Sequence, residues 1–125
     1  MIPVYLNELI DVLIAKTNSN SCYWNRTSSQ GQYKLMLKGG MVVLSYREGL
    51  LGKDSLKFDI YDETGKIVDT FIVNDNDKTD YNHILHLYNS IKNQKDQITR
   101  NKICNFIEEI NTSTHVGIED TVSLQ

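Results

Sequence analysis

The side chains able to do chemistry are few in this chain and widely spaced. Asp59 and Asp69 fall in two strand-like runs, "SLKFDIYD" and "KIVDTFIVN", on either side of "DETGK". A type I turn closed by a glycine bulge at Gly65 would pair Asp62 with Lys66 and set Asp59 opposite Asp69 on one sheet face. Two carboxylates at that distance repel. They can recruit a cation, or divide their pKa values for acid–base work. An open sheet face does not exclude water, so a solvated pair is the simpler reading.

His83 and His86 stand three apart, near Asp77 and Asp80. That spacing puts both rings on one side of a helix, where they could share a metal ion. A catalytic zinc generally takes three protein ligands, and no third is evident beside them. Solvated histidines on a polar face account for the pattern without a metal. "GLLGKDS", residues 49 to 55, looks at first like a phosphate-binding loop. It has two residues between its glycines instead of four, and Asp54 separates Lys53 from Ser55. A strand rather than a helix follows, so it reads as a connection. No cofactor motif is found, and no nucleophile–base constellation either. Trp24 and Arg26, two apart, share a strand face and could stack on a ligand. For a lone Trp in a small domain the core is the favoured reading.

Charge narrows the classes further. The 125 residues carry 13 Lys plus Arg against 16 Asp plus Glu, a net charge of −3, with a sequence pI of about 5.5. This is not the electrostatic footprint of a nucleic-acid binder. Cys22 and Cys104 lie far apart and read as reduced thiols, one expectation pointing to the cytoplasm. The N-terminal run "MIPVYLNELIDVLIAK" has no basic leader and is broken by Glu8 and Asp11, so it reads as neither signal peptide nor membrane span.

The elements that must position these residues follow from periodicity. Ile2, Leu6, Leu9, Ile10 and Leu13 recur at helical spacing, predicting a helix over 3–16 whose apolar arc exceeds one face. A strand-rich block over 22–74 follows. Taking Gly39-Gly40 as a two-residue primed turn sets Leu37 opposite Val42 and Leu35 opposite Leu44. Helices are expected over 80–93, with Asp80 as N-cap, and over 97–110, with "KNQKD" between them. Residues 112–125 read as a mobile tail. The expectation is a single α+β domain: an N-terminal helix, an antiparallel meander of four to five strands, and two C-terminal helices packed on one face.

One feature of this pattern has no partner. With Leu35, Leu37, Val42 and Leu44 facing inward, Met36, Met41, Val43, Tyr61, Ile67 and Phe71 fall on the outer sheet face among charged neighbours. Apolar patches of that kind are usually covered. With Trp24 and Arg26 they form the candidate interaction surface. The reading is therefore a small non-enzymatic interaction or accessory protein, self-associating or binding a protein partner through that face or the first helix. A metal-dependent or small-molecule enzyme at Asp59/Asp69 or His83/His86 is the alternative.

Overall fold

Pro3 opens the first helix, where its fixed φ is preorganised and its missing N–H costs nothing; the amides of Leu6 and Asn7 donate back to its carbonyl. The computed structural model describes residues 2–119. Helix α1 spans Val4–Asn18 and buries Leu6, Ile10, Leu13 and Thr17, one residue per turn. Val4, Tyr5 and Val12 are exposed, so the wide apolar arc is buried on one side only.

Five strands follow in chain order: β1 (Asn25–Arg26), β2 (Gln32–Leu37), β3 (Gly40–Arg47), β4 (Ser55–Asp62) and β5 (Ile67–Asn74). They form one antiparallel meander, each strand beside its sequence neighbour. Helix α2 then runs unbroken from Lys78 to Thr112. Among the described residues the fold is α+β, with two α-helices rather than the three expected. The polar stretch 92–96 carries helix-compatible Lys, Asn, Gln and Asp, and no Gly or Pro interrupts 78–112. Loss of apolar periodicity marks loss of a buried face; it does not break a helix.

The chain divides into two compact units, residues 1–94 and 95–125. In the first, the inner sheet face (Tyr33, Leu35, Val42, Leu44, Leu56, Phe58, Val73) forms one core with α1 and with Tyr81, Ile84, Leu87, Tyr88 and Ile91. Trp24 is completely buried in it, its indole N–H donating to Thr17 Oγ1 at 3.0 Å. Gln94 ties the end of α1 to the chain beyond it, its amide donating to the carbonyls of Cys22 (2.9 Å) and Thr17 (3.3 Å). Asp80 is buried in the first turn of α2, and its carboxylate accepts the Ile2 N–H at 2.9 Å. In the second unit every residue from 96 to 119 is exposed. Of the tail expected over 112–125, Thr112 still belongs to α2, and 120–125 lie outside the described residues.

Two registers differ from expectation. The β2–β3 turn is Lys38-Gly39, giving Leu37↔Gly40, Leu35↔Val42 and Tyr33↔Leu44. The shift is two residues, so each side chain keeps its face, although Leu37 at the sheet end is exposed. Of the two glycines only Gly40 has positive φ, at 152°.

The β4–β5 turn forms as expected: the Asp62 amide donates to the Lys66 carbonyl at 2.8 Å, and Gly65 has φ of 85°. The Asp62 carboxylate accepts from the Thr64 hydroxyl and from the Thr64 and Lys66 amides. These hydrogen bonds, Thr64's hydroxyl foremost, hold its pKa below the usual carboxylate range. Beyond the turn the register slips by one. Tyr61 pairs with Ile67 and Ile60 with Asp69, leaving Val68 as an extra residue. This bulge turns Phe71 and Val73 inward.

Candidate functional site

The pleat arranges the outer face in rows. One row crosses four strands as Met36–Met41–Tyr61–Ile67, each residue directly opposite the next. The next is Lys34–Val43–Asp59–Thr70, and the third Gln32–Ser45–Lys57–Ile72. Met36 is 65% exposed, Ile67 56% and Ile72 66%. Val43 and Asp59, in the middle row of the central strands, are buried.

The bulge rewrites the carboxylate pair. Asp59 faces Thr70, whose hydroxyl donates to Asp59 Oδ1 at 2.8 Å, and Lys57 Nζ lies 3.7 Å from Oδ2. Asp69 pairs with Ile60 at the sheet edge, exposed, its carboxylate accepting the Thr70 N–H at 2.8 Å. The two aspartates are not cross-strand partners. The edge strand leaves Asp69 in water, and the slip gains burial for Val73.

His83 is occupied as well. Its Nδ1 lies 3.1 Å from Asn7 Oδ1 and its Nε2 2.6 Å from Asp11 Oδ1, so this ring joins α2 to α1. His86 is exposed. Among the described residues no group of three His, Cys, Asp or Glu side chains could hold a metal ion. In the 49–55 loop, Asp54 accepts hydrogen bonds from the Tyr46 hydroxyl and from the Gly49 amide at 3.4 Å. The residue that spoils the phosphate-loop pattern is thus the one that ties the connection down.

Of the sequence-predicted surface, Met36, Met41, Tyr61 and Ile67 come together in the first row, and Val43 lies buried in the row beside it. Three members move off the face. Phe71 pairs with Phe58 and packs against the core, because the bulge inverts its side. Trp24 is wholly in the core. Arg26 is exposed, opposite Tyr33. The exposed Ile72 was missed for the reason that misplaced Phe71.

Arg26 instead edges an open cleft of about 900 Å³ between the 27–31 loop, the end of β3 and α2. Three tyrosines build its floor: Tyr88 stacks on Tyr46 with centroids 5.4 Å apart and meets Tyr33 edge-on at 5.7 Å. Donation to Asp54 raises the Tyr46 phenol well above its usual pKa, and burial raises Tyr88. Glu48 and Lys92 also line the opening. This cluster was missed from sequence, since it joins two strands to a residue on α2 more than 40 positions further along the chain.

Comparison with protein families, with curated proteins and with solved structures finds no match for this chain. No helix among the described residues is long and apolar enough to cross a membrane.

Proposed function

We propose that this chain is a small non-enzymatic interaction protein of the cytoplasm that works by self-association or by binding a protein partner through the outer face of its sheet. The observation that carries this reading is the Met36–Met41–Tyr61–Ile67 row, an apolar band across four strands whose ends are more than half exposed. Methionines and a tyrosine suit such a contact, supplying adaptable and amphipathic surface. The mild negative charge speaks for a protein rather than a nucleic-acid partner. Val4, Tyr5 and Val12 on α1 offer a second apolar surface. The alternative of an enzyme at Asp59/Asp69 or His83/His86 loses its motive, since each grouping is divided or otherwise engaged.

A photo-crosslinking residue at Met36 tests the reading, with the same residue at exposed Lys53 as control. The expected result is one defined adduct, a second copy or another protein, seen at position 36 and abolished by Ile67→Lys. Equal labelling at both positions would overturn it.

A further inference from the structure

The C-terminal half of α2 carries an apolar helix face that is exposed among the described residues. Ile103, Phe106, Ile107 and Ile110 recur at spacings of three, four and seven, and each is 51–53% exposed. The pattern is one apolar stripe. Nothing from 96 to 112 is buried, and the segment is rich in Ile and Asn, which are mediocre helix formers. A helical stretch of this length is marginal in water without packing. Its charges are also polarised along the axis. Lys95, Arg100 and Lys102 lie toward its start, with Asp96 the exception, and Glu108 and Glu109 toward its end.

We infer that the 103–110 stripe is a self-association surface, and that its occupant is the same segment of a second copy, running antiparallel. Charge selects both occupant and direction. Lys102 and Glu109 border the stripe on its Phe106 side; Lys102 Nζ lies 5.1 Å from the Phe106 ring. Arg100 borders the opposite side, next to Ile107. In an antiparallel two-fold pair like edges meet, so Lys102 of each copy faces Glu109 of the other while the isoleucines and phenylalanines interdigitate. A parallel pair joins opposite edges at the same level and brings Lys102 against Arg100, a like-charge contact. Residues 102–110 span about 13 Å of helix, so this is a small, reversible interface.

The inference rests on the self-association arm of the proposed function but uses a different surface, which keeps the two separable. Sedimentation equilibrium of the full chain over a wide concentration range is the experiment. The wild type is expected to dimerise, and Phe106→Glu to weaken dimerisation at least tenfold. Lys102→Glu or Glu109→Lys alone should weaken it about fivefold, since each turns two exposed attractive pairs into repulsive ones. The double reversal Lys102→Glu/Glu109→Lys should restore it. Lys and Glu have similar helix propensity, so the charge series stays informative even where Phe106→Glu unwinds the segment, and circular dichroism reports that directly. A dimer strengthened by Lys102→Glu would overturn the antiparallel arrangement. A dimer indifferent to all these changes but lost in Met36→Lys/Ile67→Lys would overturn the inference and leave the sheet-face reading standing. A monomer at every concentration would overturn the inference and the self-association arm together.

Discussion

Gly40 sits directly against the carbonyl of Tyr61: a β-carbon added there would lie 2.0 Å from that oxygen. At Gly39 a β-carbon would meet nothing within 4 Å. The two glycines therefore have different reasons for being there. Gly40 combines a φ of 152° with close approach of β4, so Gly40→Ala should cost about 2–5 kcal/mol through strain and displacement of the neighbouring strand. Gly39→Ala should change stability by less than about 1 kcal/mol. Urea unfolding of both variants checks the contrast, and equal costs would contradict it.

The Trp24–Thr17 hydrogen bond is buried at both ends. Thr17→Val keeps the shape and leaves the indole N–H without its acceptor, at a cost of about 1–3 kcal/mol. Thr17→Ser should recover most of it. Trp24 is the only tryptophan, so its fluorescence follows both unfolding and any local wetting of the indole.

Asp59 and Asp69 should behave differently on truncation. Asp59→Ala removes a buried acceptor from the Thr70 hydroxyl and a counter-charge from Lys57, at about 1–3 kcal/mol. Asp69→Asn at the exposed edge should stay within about 0.5 kcal/mol. Marked stabilisation by Asp69→Asn would instead indicate that the two carboxylates repel one another after all.

Alkaline pH should destabilise the fold through the cleft tyrosines. Tyr46 and Tyr88 both have folded-state pKa values raised above the ordinary 10.0. Each holds its proton more tightly folded than unfolded. The stability they contribute is fully present below pH 10 and lost as the pH rises from there toward the folded values. Tyrosinate absorbance should show two late-titrating phenols, and Tyr46→Phe should remove one and flatten the alkaline loss. On the acid side the sign reverses. Asp62, held low by its turn hydrogen bonds, contributes above the usual carboxylate pKa and ceases to as the pH falls below it.

What the sequence determined by itself was local. Periodicity of 3.6 placed α1 and the start of α2, alternation placed β2 to β5, and "DETGK" specified its own turn, because these signals arise within a few bonded neighbours. The inner positions Leu35, Val42, Leu44, Leu56 and Phe58 were legible for the same reason, and a two-residue error in the first hairpin left them in place since side chains alternate with period two. Only the tertiary structure decided the rest. The slip at Val68 depends on whether Phe71 and Val73 or Thr70 and Ile72 better fill a core that α1 and α2 also line, and that comparison spans the whole chain. It moved Phe71 inward, exposed Ile72 and separated Asp59 from Asp69. The length of α2 was likewise undecided, since the polar residues 92–96 are as content in a helix as in a loop. Trp24, Asp80 and His83 found partners 7, 78 and 76 residues away. Pairings across such separations are set by which surfaces pack together, and local pattern carries no record of them.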